Sequence, residues 1–130
     1  MAKRKPINIR RTTRIEHAID GRIQRIKIGN RKLEQRVKGI SVRVTETIME
    51  MKKANPNMEK ITRTKQLFEE YREDAQMLLR HLEITRKHAK ELGIQEAPAW
   101  PKIEKRAKKT IETSNKVLES LQKWQEQRAK

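Results

Sequence analysis

Fourteen lysines and arginines fall within the first 44 residues, opposed only by Glu16, Asp20 and Glu34. Nine of the fourteen are arginines, whose planar guanidinium presents a fork of donors that matches a phosphate bidentately. Such residues do not make or break bonds; their chemistry is the neutralisation of a polyanion. The remaining 86 residues hold 19 basic and 14 acidic side chains, so the net charge of +16 is pooled at one end, +11 there against +5 elsewhere. Pooled positive charge is the electrostatic footprint of a nucleic-acid binder, and an anionic membrane surface attracts it too. Aliphatics at helical spacing run through the same stretch: Ile15, Ile19, Ile23 and Ile26, then Leu33, Val37, Ile40 and Val44. A segment apolar on one face and cationic on the others calls for two partners, an apolar surface and a polyanion.

Other chemistry finds little support. There is no cysteine, which removes disulfides and thiolate metal sites. His81 and His88 stand seven apart, about 10 Å along a helix and too far to share a metal, and His17 is remote in sequence. The carboxylates Glu69, Glu70, Glu73 and Asp74 sit among basic neighbours and read as a solvated face. No glycine-rich phosphate loop, nucleophile–base order or metal-ligand spacing is present. The expectation is a protein that is not an enzyme, with no cofactor and no metal. Met49, Met51, Met58 and Met77, with Trp100 and Trp124, fall at core spacing. Because the basic stretch is nearly free of aromatics, binding of single strands by base stacking is disfavoured. Few Asn or Gln side chains stand ready to read base edges, so the expected mode is sequence-independent contact with the backbone of a duplex.

The elements that must position these residues are helices. At 130 residues, with 34% apolar and 38% charged side chains, the chain is one domain whose core is thin; helices tolerate this because they need only an apolar stripe. Part of the apolar surface is expected to be covered on assembly. No apolar run approaches a membrane span, and the N-terminus lacks the apolar core of a secretory signal. Residues 1–11 lack a period and read as a tail. Thr13 with Glu16 fits a capping box opening a first helix to Ile28. Gly29-Asn30 reads as a terminator and a new N-cap, with a second helix over 31–54. Asn55-Pro56-Asn57 is a turn. Ile61, Phe68, Ala75, Leu82 and Ala89 recur every seven residues in a third helix that Gly93 stops, and a fourth follows Trp100-Pro101. The last two fold back as an antiparallel hairpin. The expected fold is all-α: a basic N-terminal helical arm over 1–44, built as tail plus helix-turn-helix, and a helical bundle body over 45–130.

This layout, with RRTTRIEHAIDGRIQRIKIGNRKLEQRVKG as the arm and residues 57–129 as the body, resembles the major coat proteins of filamentous and rod-shaped archaeal viruses with linear double-stranded DNA. The resemblance implies arms that wrap the duplex and hold it in A-form. It implies a helical filament of many copies, as a homo-oligomer or as a heterodimer with a paralogous coat subunit, with room for an envelope contact. The place implied is the virion, assembled in the host cytoplasm. Arg10, Arg11, Arg14, Arg22, Arg25, Lys27, Arg31, Lys32, Arg36 and Lys38 would then face phosphates, and Ile15, Ile19, Ile23 and Ile26 would pack subunit against subunit. Two other readings of the same residues stay open. One is a cellular or phage nucleic-acid-binding accessory protein of nucleoid, ribosomal or replication type. The other is a coiled-coil interaction module whose basic arm meets an acidic protein or a membrane.

Overall fold

The computed structural model describes the backbone of residues 6–129 and the side chains of residues 20–129. It is all-α: α1 (Pro6–Met51), α2 (Met58–Glu91) and α3 (Ala99–Ala129), with no strand among the described residues. Each helix runs antiparallel to the next. α2 packs along both neighbours, whereas α1 and α3 meet only sparsely.

α2 and α3 match the periodicity of their sequences. Asn57 caps α2, its side-chain oxygen accepting from the amides of Glu59 and Lys60 at 3.1 and 3.2 Å. At the other end the Gly93 amide donates to the Lys90 carbonyl and the Ile94 amide to the Ala89 carbonyl, the paired bonds of a Schellman ending. Gly93 has φ +70°, where a side chain would be strained. Every seventh residue of the heptad, from Ile61 through Phe68, Ala75 and Leu82 to Ala89, is buried. Trp100 lies in the same core, and the Trp124 indole N–H donates to the Met51 carbonyl at 3.0 Å, closing a free carbonyl at the end of α1. The α1–α2 turn is fastened by Glu50, which is 7% exposed, accepts from the Asn57 amide and pairs with Lys53. The Lys53 bond, followed by that from Asn57, holds its carboxyl below the usual range against the opposing effect of burial.

α1 departs from the sequence reading. Its 46 residues form one helix, about 69 Å long, so the break expected at Gly29-Asn30 is absent, and the backbone is already helical from Pro6 instead of opening at Thr13. The reason is tertiary. A Cβ on Gly29 would stand 3.2 Å from Leu78 Cδ1, so the glycine brings α1 close to α2 instead of ending a helix. Asn30, instead of capping, accepts from Arg106 of α3 at 2.8 Å. Four helices therefore become three.

The described part of the expected arm packs with the body. Ile26 and Leu33 share one core with Leu78, Leu82, Trp100 and Ile103, and Ile40 joins Phe68 and Tyr71 in an adjoining cluster. From Ile23 onward α1 belongs to the bundle.

Candidate nucleic-acid interface

The basic side chains of α1 separate onto its two flanks. At 100° per residue, Lys27, Arg31 and Lys38 lie on the flank shared with Asn30 and Glu34, which touch α3. Arg25 and Lys32 lie on the opposite flank, with Arg36, which faces α2. All of these except Arg36 are exposed, and Arg22 is half-buried. Arg36 is committed elsewhere: its guanidinium pairs with Asp74 and stands 5.7 Å from the Tyr71 ring centre. It clips α1 to α2, a cation–π contact beside an ion pair, and among the described residues expected to face phosphate it is the one paired with an acid. Arg10, Arg11, Arg14, Ile15 and Ile19 lie outside the described side chains.

Ile23 and Ile26 are not open to a neighbouring subunit. Ile26 is 1% exposed and sits in the intramolecular core, with Ile23 packed against it. The part of that apolar surface formed by Ile23 and Ile26 packs against α2 and α3 of the same chain. Burial of the isoleucine stabilises the bundle by about 1.5–3 kcal/mol.

α3 adds cations that the sequence reading passed over. Lys102, Lys105, Arg106, Lys108 and Lys109 occupy eight positions of the chain, a density that marks them in the sequence itself, yet amphipathic periodicity drew attention to the apolar stripe between them. Arg106 reaches α1, donating to Asn30 Oδ1 and Glu34 Oε1, both at 2.8 Å. Lys109 and Lys116 line the opening between α1 and α3. The first acid of α3, Glu104, turns the other way, to Arg86 of α2 and to Lys108 at 2.9 Å. Those bonds, Lys108 first and then Arg86, draw the Glu104 carboxyl down to about 2.

Between α1 and α3 runs a cleft of about 410 Å³, floored by Val37, Ile40 and Val44 and edged by Ser41, Thr110 and Thr113. Its continuation of about 150 Å³ passes Thr47, Met51 and Val117. Lys38 and Lys109 stand on opposite banks by helical position. The hydroxyls of Thr47 and Thr110 bond back to carbonyls one turn earlier, at 2.6 and 2.9 Å.

Charge is thus sorted by helix. α1 holds eleven basic and five acidic side chains, α3 eight and four, and α2 eight and seven. α1 and α3 carry an excess of positive charge, and α2 is close to neutral. Among the described residues no group of three acids, histidines or cysteines is placed to hold a metal, and no helix is long and apolar enough to cross a membrane. Comparison with protein-family models, curated proteins and solved structures gave no match.

Proposed function

We propose that this chain is a structural DNA-packaging protein: a coat subunit that binds the backbone of double-stranded DNA without reading its sequence and assembles with other copies into a helical nucleoprotein filament. The observation that carries this reading is the sorting of charge. α1 and α3 carry an excess of lysines and arginines in a bundle whose other helix is almost balanced, and Lys109 and Lys116 line the side where the cleft between α1 and α3 opens. A duplex lying along that side meets Lys27, Arg31 and Lys38 from α1 and Lys102 and Lys109 from α3, with hydroxyls between them. Lysine and arginine on regular helices give positioning contacts to phosphate, and no array of Asn or Gln reads bases. The basic residues of the first nineteen positions act as an arm that extends the phosphate contacts beyond the bundle. Wrapping of a duplex by such arms, and residence in a virion, follow from the same reading.

Salt dependence tests it. If one subunit neutralises about eight phosphates, log affinity falls against log salt with a slope near −7. Removing residues 1–19, with circular dichroism to check that the bundle stays helical, reduces the slope by about one for each phosphate that the arm had neutralised. A slope shallower than about −3, or a strong preference for one sequence over its scramble, overturns the proposal.

A further inference from the structure

Apolar side chains of α1 stay open in two places. One is an outer seam of Ile28, Val42 and Met49, with Gln35 among them, which repeats every seven residues as the buried seam of Ile26, Leu33, Ile40 and Thr47 does. The other is the cleft towards α3, where a second helix supplies a facing wall. Its two hollows, about 410 and 150 Å³, together reach the range of about 300–1,000 Å³ usual for ligand pockets. Along α1 the floor runs from Val37 through Val44 and Ile48 to Met51, a length of about 21 Å. Arg106 bonded to Glu34 and Trp124 bonded to Met51 set the register of the two helices. Lys109 therefore stands level with Val37 at one end of the floor, and Trp124 level with Met51 at the other. The rim holds Arg106, Lys109 and Lys116 and no acid. Three other hollows are each lined in part by acids: Glu46 and Glu50, Glu119 and Glu126, or Glu96. Arg106 is held by Glu34 and Lys116 by Glu112, while Lys109 pairs with no acid among the described residues.

We propose that this cleft binds one long-chain amphiphile with an anionic head, the head at Lys109 and the tail running along α1 towards Trp124. The lining selects the ligand class. An aliphatic floor gains hydrophobic free energy from a hydrocarbon chain and none from a phosphate backbone, which must stay hydrated or hydrogen-bonded. A cationic rim without acids attracts an anionic head and repels a basic segment, the chain's own first nineteen residues included. A helix 10–12 Å across lies over the mouth, whereas an alkyl chain follows the floor. Its zigzag of bonds of about 1.52 Å advances about 1.25 Å per carbon, so about sixteen carbons reach from Lys109 to Trp124. The inference rests on the cleft and not on the phosphate-binding reading, although the two share Lys109: a filled cleft withholds that cation from a duplex.

Trp124 reports occupancy. Hexadecanoate brominated near its tail end, added to the full chain below its micelle concentration, quenches tryptophan fluorescence and saturates at one per chain. Bromine beside the carboxylate quenches less, and Trp124→Phe removes the quench. When unlabelled carboxylates of about ten to sixteen carbons displace the probe, affinity rises about fourfold for each added methylene. The alcohol of matched length binds about tenfold more weakly, as does the carboxylate on Lys109→Glu. Ile48→Asp, at a site 46% exposed, abolishes binding with helicity unchanged by circular dichroism, while Lys87→Glu on α2 binds like the wild type. A quench that does not saturate, equal affinity for alcohol and carboxylate, or indifference to both Lys109→Glu and Ile48→Asp overturns the inference. Binding to vesicles of anionic phospholipid with none of the free carboxylate also overturns it and assigns the cleft to a membrane surface. Duplex affinity, measured without amphiphile, tests the phosphate-binding reading separately.

Discussion

The two seams of α1 share a helix, a spacing and a composition, yet one is a core and the other is surface. Ile26, Leu33 and Ile40 are 1%, 2% and 8% exposed, whereas Ile28 and Val42 stand mostly in solvent. Each seam carries one polar residue, Gln35 or Thr47; what separates them is which flank α2 occupies. Gly29 marks that side, because there the backbones approach until Leu78 nearly touches the glycine. The inner seam is therefore fixed by close packing of three helices, and the outer one stays in solvent. A heptad identifies a contact surface without naming its partner.

Substitutions at matched positions should separate the two seams, beginning with the largest effect. Leu33→Ala, in the buried seam, is expected to cost about 2–5 kcal/mol through reduced burial and a residual cavity, read as a shift of the denaturant midpoint at constant slope. Gly29→Leu forces a side chain into the place of Leu78 and is expected to cost about 1–3 kcal/mol by overpacking; an unchanged midpoint would mean that the close approach of α1 and α2 does not hold α1 in place.

A different contrast lies between α1–α2, with the single ion pair of Arg36 and Asp74 among the described residues, and the α2–α3 side, where Arg86 pairs both with Glu96 of the connecting loop at 2.6 Å and with Glu104 of α3. The Glu104 carboxyl is held at about 2, below its ordinary 4.5. A carboxyl depressed on folding contributes stability that is fully present above its unfolded value and is lost as pH falls through the folded one. The gap in melting temperature between wild type and Glu104→Gln is therefore expected to narrow between pH 4.5 and about 2. The smallest effect belongs to the outer seam. Val42→Ala is expected to stay within about 0.5 kcal/mol of wild type, and a loss comparable to that of Leu33→Ala would mean that the outer seam is covered in the monomer.

How much was legible in the sequence follows from the range of the interactions. Asn57 as a cap, Gly93 as a terminator and the α2 heptad depend on neighbours within a turn or two, so their residues announce them. Gly29-Asn30 carried the signature of a stop and a start, but Leu78 and Arg106, 49 and 76 positions away, gave the pair other roles. The basic stretch was visible as a source of charge. That Arg36 is spent on Asp74 and Tyr71, and that Lys109 and Lys116 line the cleft beside α1, was not.

The sequence by itself determined that the chain is helical, where α2 and α3 begin and end, and that its charge is unevenly spread, because these properties are local sums over adjacent residues. Only the tertiary structure decided that α1 is unbroken, that Ile26 lies in the core of its own chain, and that Lys109 and Lys116 of α3 line the cleft beside α1. Those outcomes depend on which helix flanks meet, and the packing of α2 against both neighbours decides that.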